Sequence, residues 1–543
     1  MEKFKPYAFL FLAALLYGQG FPNHLGFIFP LGPIAGSAIL FWYILNAQST
    51  KCRLGYYLFY NSILNIHSFS WITGTLQEFG ALPWTAAAAM NSLYAFVFNP
   101  HIWIFIFILK LIESRKPEWK AILFSSNLNT LTIATAFTLI EYYTPQQFPV
   151  MLGQPWIIFG GHIYLARIFG LVSFSFVSYL ALAEILRFKI YKTFSKTHFI
   201  SICLFIALNI GLGIREQSHL KAKAKLQKNS FHVRMVQANI SNFLKTESEK
   251  GGFHSVSTVL DQYEKLSLAD SDEKLDLIIW PETAYPYPLY SDKDNILATQ
   301  VPTIFTTIAY QMNAPILFGG YDHFKDNPDG SYFKTEHNAA LFVNTLGQLE
   351  ETYHKHILIP FGETLPFGPL NEPLSKVLTE MAFFKEGEKK PIFETENGLK
   401  FLTTICYEKL RPEFLRDYLN QAKQHPDIMI NLTNDSWYGN TLEPELHLFL
   451  ARWRSAELNM ATLRSTNTGV SVYIDRYGNE RERLDYGVTG NLDVKLRKED
   501  MVTSGATLFQ KYGVLCLVGL IGLLFLFQRI LLKYNHAKNT SHP

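Results

Sequence analysis

Phe401-Leu402-Thr403-Thr404-Ile405-Cys406-Tyr407-Glu408 is an apolar, β-branched run that ends in a thiol and a carboxylate. A short run of this composition, too brief for a helix of ordinary length, reads as a buried strand over Phe401–Cys406. The same form recurs at Val233–Asn239, Leu275–Trp280, Pro315–Gly319, Ala339–Asn344 and Ile428–Thr433. Between these runs, segments 251–268, 371–384, 411–424 and 445–460 place apolar residues at helical spacing. Strands alternating with amphipathic helices predict an α/β layered sheet over 231–500. The stretch contains no glycine-rich phosphate loop, EF-hand loop or His-Glu-x-x-His motif, and no internal repeat.

Three of the strand ends carry reactive groups. Leu277-Ile278-Ile279 leads into Trp280-Pro281-Glu282-Thr283; the turn after 339–348 leads into Tyr353-His354-Lys355, then Pro360-Phe361-Gly362-Glu363; the third is Cys406-Tyr407-Glu408. Taken singly, a strand-end glutamate, a lysine or a cysteine is an ordinary structural residue. Taken together they make a covalent apparatus. A carboxylate accepts the thiol proton, and a buried ammonium with the Cys backbone N–H stabilises an oxyanion. Cys406 has no second cysteine in this domain for a disulfide, since Cys52, Cys203 and Cys516 lie in or beside apolar runs elsewhere.

Outside 231–500 the chain addresses a different solvent. The 543 residues are 48% hydrophobic and only 17% charged, which excludes a purely soluble enzyme and a disordered chain. Residues 231–500 hold 27 basic and 39 acidic side chains, and the remainder 22 basic and 7 acidic. About 20 apolar residues span a bilayer as a helix, and candidate spans lie near 7–22, 24–45, 55–75, 86–110, 121–141, 163–186, 198–214 and 512–532. The turn at Pro22-Asn23 leaves 7–45 open between one long span and two. Loops 76–85 and 142–162 hold no Lys or Arg, whereas Lys51, Arg53, Lys110, Arg187, Lys189 and Lys533 fall in the alternate loops. That asymmetry puts the N-terminus inside and the acidic domain outside. Arg167, Arg215, Lys511 and the Lys221–Lys228 cluster run against it. His24, His67, His101 and His162 have no ligand spacing and read as packing or interface residues, and segment 145–161 with Trp156 reads as interfacial.

The Glu282, Lys355 and Cys406 flanks resemble the nitrilase superfamily. With spans on both sides of the domain, the chain resembles the bacterial apolipoprotein N-acyltransferases within it. Asn434-Asp435-Ser436-Trp437-Tyr438-Gly439, His447 and Arg464-Ser465-Thr466-Asn467-Thr468-Gly469-Val470 extend the match. The resemblance implies an α/β fold: a nitrilase-like αββα sandwich inserted between a multi-span α-helical membrane domain and a C-terminal transmembrane helix. The boundaries are then 1–229, 230–500 and 501–543. It implies Glu282 as general base, Lys355 as oxyanion group and Cys406 as nucleophile. Glu363, Tyr407, Glu408, Asn434 and Trp437 are implied as supporting or substrate-binding residues, and Arg464 as scaffold or substrate path. The implied reaction moves an acyl chain from a membrane phospholipid to the thiol, then to the α-amine of a lipoprotein's diacylglyceryl-cysteine, the last step of lipoprotein maturation. No cofactor, metal or nucleic acid is implied, and the expected state is a monomer in the bacterial inner membrane with its catalytic domain periplasmic.

The sequence departs from the family at Lys245-Thr246, where the family often has Lys-Trp, at Trp437-Tyr438 for Trp-Phe, and at Glu443-Pro444 for Gly-Pro. Two other readings compete: a membrane-anchored nitrilase-type amidase acting on a small molecule, and an inactive lipid-binding homologue. Met381-Ala382-Phe383-Phe384 with 385–392 reads either as a lid over an apolar entrance or as a helix packed on the core. The loop charges carry one expectation for topology. A reporter fused after Lys538 is expected in the cytoplasm and one inserted at Asn327 outside it, and a cytoplasmic Asn327 reporter overturns the assignment.

Overall fold

The computed structural model describes residues 5–80, 82–94, 99–115, 123–144, 146, 148–226, 230–291, 301–323, 336–360, 362–376, 383–501 and 505–540, with backbone alone at 78–80, 528 and 531–540. Phe361, Met381, Ala382, Lys116, Lys120, Lys228 and the Asn327 insertion point lie outside the described residues. The chain divides into two compact units. One comprises 1–217, 441–458 and 506–543, the other 218–440 and 459–505. The helix expected over 445–460 runs Glu443–Leu458 and groups with the first unit.

The second unit is two mixed sheets. In the first, strands β1 (His232–Gln237), β2 (Leu277–Ile279), β4 (Ile316–His323), β5 (Glu336–Val343) and β6 (Leu349–His354) follow in that order, with β13 (Gly490–Lys495) beside β1 and β3 (Pro288–Leu289) on β4. β1, β2 and β4 run parallel, and β5, β6 and β13 pair antiparallel. The second sheet has the order β12 (Glu480–Leu484), β11 (Ser471–Ile474), β10 (Ala461–Thr466), β9 (Ile428–Thr433), β8 (Lys400–Ile405), β7 (Phe393–Glu394), with parallel pairing at its centre. Parallel strands covered on both faces need apolar side chains on both, which is why Leu277–Ile279 and Ile428–Thr433 are buried throughout.

The sheets meet through aromatic side chains. Phe342 of β5 sets its ring edge-on to Phe393 and Phe401 at 5.9 and 5.8 Å. On the first sheet, helix Phe253–Ser267 brings Val259 and Tyr263, and helix Thr303–Met312 brings Phe305 and Ile308, into one core with Ile278, Trp280, Ile316 and Leu341. Trp280 stacks on Tyr263 at 4.6 Å, and its indole N–H donates to Ser267 at 2.8 Å. Burying one such aromatic is worth about 1.5–3 kcal/mol, so the residue just before Pro281-Glu282 is an anchored one. Gly319 on β4 lies under the same turn, where a Cβ would come within 2.6 Å of the Glu282 Cα.

The six expected strands all form, most with ends moved by a few residues; β2 is shorter, and β4 continues to His323. Strands β3, β6, β7, β10, β11, β12 and β13 were not expected. The helix expected over 371–384 is Asn371–Ser375 within the described part, and 383–392 is neither helix nor strand.

The first unit is helical. Helices Lys5–Gly18 and Gly32–Asn46 are separate, with Asn23 turning the chain between them by accepting from Leu25 N and donating to Phe21 and Phe27 carbonyls. The run expected at 86–110 contains two helices, Trp84–Tyr94 and Pro100–Arg115. The one expected at 163–186 is broken by Gly170 at φ 71, ahead of helix Leu171–Tyr191. Phe41, Phe105, Phe137 and Tyr179 form one ring cluster with centroids 4.7–5.4 Å apart. Leu171–Tyr191 and Lys196–Ala224 are long and apolar enough to cross a bilayer, while Lys5–Gly18, Gly32–Asn46 and Leu515–Phe527 are shorter apolar helices.

Candidate active site

Strands β2, β6 and β8 end at one place in the second unit, and each delivers one of the three reactive residues. Glu282 follows β2, and all but 7% of its surface is buried. One carboxylate oxygen accepts from Asn338 Nδ2 at 2.8 Å and from Lys355 Nζ at 3.2 Å, and the other from the Asn434 backbone N–H at 2.9 Å. Lys355 follows β6 and is fully buried. Its N–H donates to the Asn338 carbonyl at 2.9 Å, and its own carbonyl accepts from Gly387 at 2.8 Å. Its ammonium also donates to Glu363 Oε1 at 2.8 Å, while Glu363 Oε2 is held by Ile359 N–H at 2.9 Å.

Burial opposes the Lys355 charge, but Glu282 and Glu363 outweigh it and hold the ammonium above the usual lysine range. The ammonium is therefore a fixed cation, not a proton donor at neutral pH. Cys406 follows β8 with φ 52, a left-handed conformation rare for a residue with a side chain. Burial foremost, then Glu282, push its thiol pKa up; Lys355 pulls it down; Glu363 and Asp435 push it up again. The thiol rests protonated, and its proton leaves only with an acceptor at hand.

Glu408 binds the site's two walls together. Its carboxylate accepts from Tyr353 OH and Ile405 N–H, both at 2.7 Å, and from His356 and Ile357 N–H at 2.6 and 3.1 Å. Those donors flank Lys355 on one side and Cys406 on the other. Tyr407 is buried under the Arg411 guanidinium, 4.5 Å from its ring centre, and Arg411 also donates to its hydroxyl. Asn434 gives Glu282 its backbone N–H, while its side-chain oxygen accepts from the Ser436 hydroxyl at 2.7 Å. Its Nδ2 is buried and has no hydrogen-bond partner among the described residues. Trp437 is half-buried with the Lys245 ammonium 5.4 Å from its ring centre, and Lys245 also donates to the Thr283 hydroxyl. Thr246 is half-buried on the short helix Asn242–Glu249.

Sequence reading did not single out Asn338. Its amide donates to Glu282 and, at 3.0 Å, to Glu363, spacing the two carboxylates around one ammonium. The available signal was an asparagine inside a buried strand, where that residue type is depleted. The 383–387 segment is tied to the same strand ends: Phe384 N–H donates to the Glu363 carbonyl at 3.1 Å and Lys385 N–H to that of Glu336 at 2.8 Å.

Glu408 makes stability pH-dependent. Burial raises its pKa from 4.5 to about 7 against the pull of its donors, Ile405 N–H and Tyr353 first, and of Lys355. The folded state therefore binds this proton more tightly than the unfolded chain. The stability linked to it is full below about 4.5 and is lost as pH rises through about 7. Between about pH 5 and pH 8, thermal unfolding midpoints of wild type should fall relative to those of Glu408→Gln, a loss on the order of a few kcal/mol. Parallel curves contradict this.

Residues 232–494 match the carbon-nitrogen hydrolase family. Over most of its length the chain is similar to apolipoprotein N-acyltransferases. It is 29% identical to that of Bdellovibrio bacteriovorus over 85% of this chain and 84% of the relative, and 24% identical to that of Borreliella burgdorferi over 92% and 90%. An amidase from Nesterenkonia sp. aligns with 51% of this chain and 93% of its own, at 17% identity and a TM-score of 0.34. The match to the carbon-nitrogen hydrolase family thus lies within a similarity to apolipoprotein N-acyltransferases that spans most of the chain.

Proposed function

We propose that the chain transfers a fatty acyl group from a membrane phospholipid to the N-terminal amine of a diacylglyceryl-modified lipoprotein, through a thioester on Cys406. The observation that carries the reading is the convergence of a buried carboxylate, a buried cation and a buried thiol from three strand ends. Glu282 takes the Cys406 proton as the sulfur attacks the phospholipid ester carbonyl. The C–S bond forms, the negative charge moves to the carbonyl oxygen, and Lys355 faces that charge without reorganising. One preorganised donor of this kind lowers the barrier by about 3 kcal/mol. The carbonyl re-forms, the glycerol C–O bond breaks, and the proton on Glu282 passes to the leaving oxygen, releasing a lysophospholipid. In the second half the lipoprotein amine attacks the thioester and gives its proton to Glu282. The C–S bond breaks, the amide remains, and the thiol is reprotonated.

Glu363 and Asn338 keep Lys355 aimed at the reacting carbonyl, and Glu408 fixes the distance between Lys355 and Cys406. Tyr407, Asn434 and Trp437 are the supporting or substrate-binding residues of this reading. The raised thiol pKa suits this division of labour, because a resting thiolate would be open to oxidation and to wasteful attack.

The helical unit is the membrane anchor in this reading, with the inner membrane crossed several times and the carbon-nitrogen hydrolase domain on the periplasmic side. Its support is the loop-charge asymmetry together with helix Lys196–Ala224, which turns Phe199, Ile200, Leu204, Leu208 and Ile214 outward. Such a face is stable only against lipid or another apolar surface.

Incubation with phospholipid and no lipopeptide is expected to leave a fatty acyl group on Cys406, seen as an intact-mass increase and removed by hydroxylamine. A diacylated lipopeptide should clear it by transfer and gain the acyl chain, whereas Cys406→Ser should show neither adduct nor product. An adduct on another residue, or rapid hydrolysis indifferent to the lipopeptide, overturns the transferase and favours an amidase.

A further inference from the structure

The end of β9 touches both halves of the proposed chemistry. Asn431 Nδ2 lies 3.2 Å from the Cys406 carbonyl oxygen and 3.3 Å from that of Thr404, and donates into the turn whose left-handed Cys406 needs holding. Three residues on, the Asn434 N–H holds Glu282. Asn431 is itself oriented from behind: its Oδ1 accepts from Arg464 at 3.1 Å, and Arg464 donates its other arm to Asp435 at 2.7 Å. Asn431, Arg464 and Asp435 are all fully buried. Gly469 leaves room for the Asp435 carboxylate, where a Cβ would come within 2.8 Å of its Cγ.

We propose that Arg464, acting through Asn431 and Asp435, is a positioning residue that sets both the geometry and the proton affinity of the Cys406 thiol. The inference rests on Cys406 being the nucleophile, and it assigns a task to a residue that the sequence offers only as scaffold or substrate path.

A buried carboxylate near a thiol holds its proton on, unless a cation is bonded to that carboxylate. Glu282 after β2, Lys355 after β6, Glu363 in the 359–364 turn and Asp435 after β9 act electrostatically on the sulfur, and Glu408 with the Tyr407–Arg411 pair lies on its own segment. Two of the three carboxylates share Lys355. Asp435 is answered by Arg464. Arg464 therefore limits how far the third carboxylate raises the thiol, and its grip on Asn431 limits how far the Cys406 turn relaxes.

The test is the pH dependence of iodoacetamide alkylation at Cys406 in the full-length protein, followed by peptide mass spectrometry to separate it from Cys52, Cys203 and Cys516. No phospholipid is present, so the outcome is independent of whether acyl transfer occurs. Arg464→Met should move the midpoint up by about one pH unit, slowing alkylation about tenfold at a pH below the midpoint. Asp435→Asn should move it down, and Arg464→Lys should keep it near wild type while lowering the maximal rate. A purely structural pair would lower the melting temperature in every variant without driving the midpoint in opposite directions. If Arg464→Met does not fold, Asp435→Asn decides alone. An unmoved or raised midpoint in Asp435→Asn overturns the proposal.

Discussion

A single buried ammonium organises the site. Lys355 is shut away from water, and burying a charge is tolerable only when it is paired and hydrogen-bonded. Glu282 and Glu363 satisfy it, and Asn338 spaces them. The two carboxylates grip the ammonium from separate strand ends and turns, so the trio holds its geometry. The proposed reaction draws on that rigidity. A cation whose partners are fixed before substrate arrives need not reorganise when negative charge develops beside it.

Two further constraints register the thiol against that ammonium. The Glu408 carboxylate bonds backbone on both sides, at Ile405 before Cys406 and at His356 and Ile357 after Lys355. The end of β9 then reaches the Cys406 carbonyl through Asn431 and the Glu282 carboxylate through Asn434. Cys406 at φ 52 and Thr283 at φ 48 both sit beside reactive groups, and backbone strain of about 1–3 kcal/mol per residue persists only where surroundings over-determine it. In this protein those surroundings are the sheet ends themselves.

The parts of this arrangement legible in the sequence are the ones written in local pattern. Leu277–Ile279, Ile428–Thr433 and Phe401–Ile405 are buried on both faces, so their composition is unbroken and the strand reading is unambiguous. The reactive residues stood out because each ends such a run. β6, Leu-Glu-Glu-Thr-Tyr-His, and β12, Glu-Arg-Glu-Arg-Leu, are edge strands with exposed charges and no apolar alternation to read. β10 failed for the opposite reason. Arg464 is wholly buried in the middle of it, and its partners Asn431 and Asp435 come from elsewhere in the sequence. Asn338 offered only its residue type inside a buried strand, and its role was illegible on the same ground, since its two carboxylates lie 56 and 25 residues away. Long-range polar pairing leaves no periodic trace. The break at Gly170 within one apolar run was likewise illegible, because hydropathy does not record backbone conformation.

The proposed chemistry depends on Lys355 as a fixed cation facing the reacting carbonyl, and the most direct measurement is the single-turnover rate of Cys406 acylation by phospholipid. Lys355→Ala should remain folded and lose about 10²–10³-fold or more of that rate. Lys355→Arg should recover little, because a planar fork does not fit between Glu282 and Glu363 as a compact ammonium does. Acylation within a few-fold of wild type in Lys355→Ala would contradict the account.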